Sequence, residues 1–85
     1  MKLKVLYFAS IREKVGQSAE ELELPAGVST VGDLKGHIGR RGGAWTEAFQ
    51  GKALLRSAVN QDMVQDGAPI KAGDEVAFFP PVTGG

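Results

Sequence analysis

Lys71-Ala72-Gly73-Asp74-Glu75-Val76-Ala77-Phe78-Phe79-Pro80-Pro81-Val82-Thr83-Gly84-Gly85 divides into a turn, a strand and a tail. Lys71 to Asp74 is turn chemistry, with glycine and aspartate tolerating conformations that a strand interior disfavours. Glu75 to Phe79 is rich in β-branched and aromatic residues. Alternation sets Val76 and Phe78 on one face and Ala77 and Phe79 on the other. Pro80 and Pro81 then stop the strand: two backbone donors are missing, and the fixed φ favours a stiff extended exit.

Working back from that strand, the chain reads as further strands around one main helix. Lys2 to Ala9 predicts a first strand, with Leu3, Val5 and Tyr7 on one face and Lys2, Lys4, Leu6 and Phe8 on the other. Ser10 and Glu13 have the spacing of a capping box for a short helical turn, which Gly16 can end in a left-handed conformation. Glu20 to Leu24 predicts a second strand, closed by Pro25-Ala26-Gly27. The main helix is expected from an N-cap at Thr30 to about Arg41. Its inner stripe is Val31, Leu34 and Ile38, with the stem of Lys35 at the margin, and Gly42-Gly43 is its stop. A helical piece over Ala44 to Gln50 would use Trp45 and Phe49 as anchors. Leu54 to Asn60 and then Met63-Val64 predict two more strands. This order implies an α+β domain with the helix across one face of a mixed sheet. Residues 1–79 form the body and residues 80–85 the extended tail, with no repeat or linker between.

Composition narrows the function. The chain has 85 residues, 42% of them hydrophobic and 24% charged, which suits one small globular domain. Ten basic residues balance ten acidic ones, so no basic stripe offers itself to nucleic acid. Cysteine is absent, which removes disulfides and thiolate chemistry. The apolar run Val5 to Ala9 is too short for a secretion signal, and no stretch approaches a membrane span. A cytoplasmic protein is the expectation. His37, the single histidine, reads as a solvated helix residue. No phosphate loop or Gly-x-Gly-x-x-Gly motif occurs, and Asp66 and Asp74 read as turn formers rather than metal ligands. Arg40-Arg41-Gly42-Gly43 reads as cations at a helix end followed by the stop. By elimination, an active site built of side chains is not expected.

The tail breaks this pattern. Val82 and Thr83 are β-branched and favour extended backbone, and Gly84 and Gly85 bring no side chains. Six extended residues from Pro80 reach roughly 20 Å, enough to thread a narrow channel. Terminal glycines also end many domains as frayed residues, so the pair alone decides little. Joined to the proline exit and a small β-rich body, it points to a working C-terminus.

The segment Lys71 to Gly85 resembles the C-terminal signature of molybdopterin synthase small subunits. Val5-Leu6-Tyr7-Phe8-Ala9, Ile11-Arg12-Glu13 and Ala58-Val59-Asn60-Gln61 are similar to theirs as well, so the resemblance spans the chain. It implies a ubiquitin-like β-grasp fold. It implies too that an adenylating enzyme of the ubiquitin-activating type uses ATP to convert the Gly85 carboxylate to an acyl-adenylate. A sulfur donor then displaces AMP and leaves a thiocarboxylate. The tail Pro80, Pro81, Val82, Thr83 and Gly84 would carry Gly85 into the large catalytic subunit, where sulfur passes towards the dithiolene of molybdopterin. The chain itself would bind no cofactor or metal, and no nucleic acid or membrane.

The resemblance further implies a hydrophobic contact with the large subunit through Phe79, Met63 and Phe8. From the residues alone, Phe79 is either a surface anchor or covered by loops. Gly32, Gly36, Gly39 and Gly43 form one stripe along the main helix, which either allows close approach of another backbone or makes a soft helix; the soft helix is favoured, since each interior glycine costs about 1 kcal/mol relative to alanine. Two other functions compete: a sulfur carrier for thiamine or another thiolated product, and a β-grasp interaction module without C-terminal chemistry. The Phe-Phe-Pro-Pro segment argues against the first and the Gly-Gly end against the second.

Overall fold

The structure, a computed structural model, describes residues 1–51 and 54–81. Strand β1 (Lys2–Tyr7) buries Leu3, Val5 and Tyr7 and leaves Lys2 and Lys4 exposed, as alternation requires. It runs directly into helix α1 (Ala9–Val15). The capping box expected at Ser10 and Glu13 does not form. The Phe8 N–H still bonds to the Phe78 carbonyl at 3.0 Å, so the chain turns from sheet to helix within one residue. Phe8 takes the N-cap position without a side-chain cap, and Ala9 bends the chain at φ 52. Gly16 ends α1 as expected, at φ 77 with its N–H on the Arg12 carbonyl.

After β2 (Ala19–Glu23), helix α2 (Val31–Gly39) starts with a complete capping box. Thr30 Oγ1 accepts from the Asp33 N–H at 3.1 Å, and the Asp33 carboxylate accepts from the N–H groups of Thr30 and Ser29. These bonds hold the Asp33 carboxyl below its ordinary range, the Ser29 N–H contributing most. The helix ends two residues before Arg41, because Gly42 and Gly43 reverse the chain at positive φ and start α3 (Ala44–Gln50). Strands β3 (Arg56–Val59), β4 (Asp62–Val64) and β5 (Glu75–Phe79) complete the chain. Strand β3 is shorter at both ends than the expected Leu54 to Asn60.

The five strands lie in the order β2-β1-β5-β3-β4. Strands β1 and β5, distant in sequence, pair in parallel at the centre, Val5 against Val76 and Tyr7 against Phe78. Every other pairing is antiparallel. The helices cover one face only. Val31, Leu34 and Ile38 of α2 are fully buried with Val5, Val76 and Phe78, and Val59 packs at the margin of that core. Tyr7 lies edge-on to Trp45 at 5.3 Å, and Phe49 meets Phe78 edge-on at 5.1 Å, so α3 caps the end of the core where β5 finishes. This is the β-grasp arrangement.

The glycine stripe is not a soft helix throughout. The Gly32 N–H bonds to the Asp66 carbonyl at 2.8 Å, and a Cβ at Gly32 would stand 3.2 Å from that oxygen. At Gly39 a Cβ would come within 2.8 Å of the Gln50 side chain of α3. Both positions are close approaches. Gly36 has open space around it, and Gly43 lies outside the helix.

Candidate functional site

Alternation and register together define a second, uncovered face of the sheet. Opposite the core residues of β5 stand Ala77 and Phe79. Leu6 of β1 pairs with Ala77, Ala77 with Ala58 of β3, and Ala58 with Met63 of β4, giving an apolar row across four strands. One step nearer the tail, Phe8 follows Leu6 on the same side, and Arg56 pairs with Phe79. The face lacks helix cover, and its large apolar groups show the consequence: Met63 is 60% exposed and Phe8 46%. Phe79 is half-buried, as are Pro80 and Pro81. The open question about Phe79 therefore resolves on its side of the sheet. Phe78 takes the core position and is fully buried, while Phe79 takes the uncovered face at the root of the tail.

Phe79, Met63 and Phe8 thus belong to one surface. Sheet spacing of about 4.8 Å puts Met63 roughly 10 Å from the β5 axis. The tail residues Val82, Thr83, Gly84 and Gly85 lie outside the described residues, as do Lys52 and Ala53. Sequence reading missed Leu6, Ala77, Ala58, Leu54 and Arg56 as members of the same surface. The signal was present for part of the set, since β3 alternation and a register against Phe79 would have placed 56 and 58 on one side, with Leu54 exposed just before the strand. What sequence lacks is the parallel β1–β5 pairing that brings Leu6 and Phe8 alongside.

Beneath the face, a polar latch steadies the end of the sheet from which the tail leaves. Tyr7 Oη donates to Glu20 Oε2 at 2.6 Å, and Arg41 bonds both Glu20 oxygens at 2.8 and 3.0 Å while lying 4.4 Å from the Trp45 ring centre. Burial of the phenol, reinforced by the Glu20 bond, drives the Tyr7 pKa far up, so it stays a donor. Burial pushes the Glu20 carboxyl up. The hydrogen bonds from Arg41 and Tyr7 and the Arg41 charge outweigh this and hold it below its ordinary value. Arg41, expected as a cation serving a helix end, serves instead as the tie between the α2–α3 reversal and β2. His37 is half-buried rather than solvated.

A profile of the ThiS family matches residues 5–85. The chain belongs to the ThiS family. An Escherichia coli (strain K12) relative named molybdopterin synthase sulfur carrier subunit is 47% identical over 83 residues, which cover 98% of this chain and 99% of that protein. Among solved structures, a Pyrococcus furiosus protein assigned as molybdopterin converting factor, subunit 1, superposes with a TM-score of 0.77 at 35% identity, covering 96% of this chain and 99% of its own. The small archaeal modifier protein 1 of Haloferax volcanii superposes with a TM-score of 0.68 at 25% identity, with 95% and 98% covered.

For this ThiS-family chain the geometry is that of a presenting domain. Among the described residues no group of three or more His, Cys, Asp or Glu side chains could hold a metal ion, and no helix is long and apolar enough to cross a membrane. Asp66 and Asp74 serve the fold. Asp66 pairs with Lys35 at 2.6 Å, and buried Asp74 accepts from Asn60 Nδ2 at 3.0 Å and the Lys71 N–H at 2.9 Å. The arrangement can hold the start of the tail beside an exposed apolar face.

Proposed function

We propose that this chain is the sulfur carrier subunit of a molybdopterin synthase and that its reactive group is the carboxyl of Gly85. The observation that carries the reading is the position of Phe79-Pro80-Pro81, where the central strand ends on the uncovered apolar face beside Phe8. A carrier needs such an end: a rigid body to be grasped, and an extension that leaves it at a fixed point. The relatives' name supports the pathway, and the Gly-Gly end supports the chemistry.

The chemistry runs in three steps. An α-carboxyl with a reference pKa of about 3.5 is ionised at neutral pH. Its oxygen attacks the α-phosphorus of ATP on an adenylating partner, forming the acyl-adenylate and releasing pyrophosphate. A sulfur nucleophile then attacks the acyl carbon, AMP leaves with its electron pair, and a thiocarboxylate remains. The large catalytic subunit receives the tail. There the thiocarboxylate sulfur bonds to a carbon of the pyranopterin precursor and displaces an oxygen substituent, giving a thioester. Water then cleaves the acyl–sulfur bond, leaving the thiolate on the precursor and restoring the Gly85 carboxylate. No side chain of this chain takes part in bond making. Phe79, Met63 and Phe8 bind the large subunit, and Pro80 to Gly84 span the distance to its active site.

The test is intact mass analysis after incubation with ATP, the adenylating enzyme and a sulfur source. The expected result is replacement of one oxygen by sulfur, followed by molybdopterin synthesis when the large subunit and precursor are added. An unchanged mass under conditions that thiolate a known carrier would refute the reading. The modifier protein of Haloferax volcanii motivates a second arm: appearance of the chain in covalent adducts with other proteins would favour conjugation over sulfur delivery.

A further inference from the structure

We infer that Arg56, together with Leu54, is a specificity-determining contact for the large subunit, which presents a carboxylate beside the root of the tail. The inference rests on the function proposed above. Arg56 stands directly opposite Phe79 in the β3–β5 register. Its neighbour Ser57 is 3% exposed on the helix side, so alternation turns Arg56 to the uncovered face, where it is exposed. Two other cations of the sheet are ion-paired, and a third has acidic register neighbours. Lys2 pairs with Glu21 at 3.4 Å, the chain amine pairs with Glu23 at 3.2 Å, and Lys4 stands between Glu21 and Glu75 in the register. Among the described residues Arg56 enters no ion pair and no side-chain hydrogen bond.

Across the sheet its neighbour is Phe79, and it borders a hollow shared with Leu54, Lys35, Gln65 and Asp66. Leu54, two residues earlier, is 72% exposed, more than Met63 or Phe8. A single arginine on a surface is ordinary. An arginine with no ion pair among the described residues, held in register with Phe79 on the uncovered face and two residues from so exposed a leucine, is an amphipathic anchor awaiting a partner. Its stem can lie against Phe79 while the planar fork engages a carboxylate through two parallel bonds. Arginine and apolar groups together are what interface centres concentrate. A partner lacking the carboxylate would leave the guanidinium desolvated and unpaired, which is how a charge discriminates.

Binding of Arg56→Glu, Arg56→Lys and Leu54→Ser to the large subunit is measured by calorimetry from low to high salt. Thiocarboxylate formation by the adenylating enzyme and thermal unfolding are measured in parallel. Arg56→Glu should weaken binding by about tenfold or more at low salt, with the deficit shrinking as salt screens the pair. Arg56→Lys should recover part of the loss. Leu54→Ser should weaken binding roughly tenfold with little dependence on salt. All three should unfold at the wild-type temperature and form thiocarboxylate at the wild-type rate. Wild-type affinity of Arg56→Glu, or a loss that salt does not alter, overturns the inference. A loss confined to thiocarboxylate formation also overturns it, since the contact would then belong to the adenylating enzyme. Failure of the wild-type chain itself to bind the large subunit overturns the underlying function and this inference with it, a result distinct from all the others.

Discussion

Phe78 and Phe79 are adjacent, chemically identical and assigned opposite tasks, so truncating each in turn separates folding from docking. Phe78 is fully buried against Tyr7 and Phe49. Phe78→Ala should cost about 3–5 kcal/mol, as for other buried phenylalanines. A chain of 85 residues has a total stability of about 4–13 kcal/mol at the usual value per residue. The loss is thus a large fraction of the whole. At about 4–8 °C per kcal/mol for a domain this size, the melting temperature should fall by at least 12 °C or so. Phe79→Ala on the uncovered face should cost the fold about 1 kcal/mol. It should cost the complex more than about 2 kcal/mol, or roughly thirtyfold in Kd. Circular dichroism melts report the first quantity, and titration calorimetry against the large subunit reports the second. If Phe79→Ala melts as early as Phe78→Ala and binds with unchanged affinity per folded molecule, the two-face assignment is wrong.

Deleting Gly85, or adding one alanine after it, should abolish thiocarboxylate formation while leaving the melting temperature within error. An extra residue moves the acyl carbon by about 3.5 Å, and about 1 Å of misplacement can cost a hundredfold in rate; intact mass spectrometry decides. Gly36→Ala, in open space on α2, should stabilise the domain by about 1 kcal/mol in a denaturant titration. Gly39→Ala should gain that much only when Gln50→Ala is also present, because the new Cβ meets the Gln50 side chain. Glu20 is more acidic folded than unfolded, so the unfolded chain binds more protons and the latch's contribution is present above the ordinary value of 4.5. That contribution is lost as pH falls through the lower folded value. Stability measured down the acid range should drop there, and Glu20→Gln should flatten the drop.

Much of the fold was legible in the sequence because its signals are local. The alternation of Leu3, Val5 and Tyr7, the Thr30 cap, the α3 anchors Trp45 and Phe49, and the span Glu75 to Phe79 each depend on a few neighbouring residues. The Ser10 capping box failed for a non-local reason: Phe8 is still bonded to β5, which moves the start of α1. Gly32 and Gly39 misled because a glycine looks the same in sequence whether it loosens a helix or admits a neighbour. Arg41 likewise carries no mark of Glu20, which lies 21 positions away. As for the candidate site, Phe79, Met63 and Phe8 were nominated by resemblance. Their joining into one face, with Leu6, Leu54 and Arg56, required the strand order.

The strand that carries the tail is also the strand that closes the sheet. Without β5 between β1 and β3, the sheet would divide into two antiparallel pairs, β1–β2 and β3–β4. A copy that is cut short before Glu75, or whose centre has failed to form, offers neither a fixed exit for Pro80 and Pro81 nor the row from Leu6 to Met63. Display of the tail is therefore contingent on completion of the body.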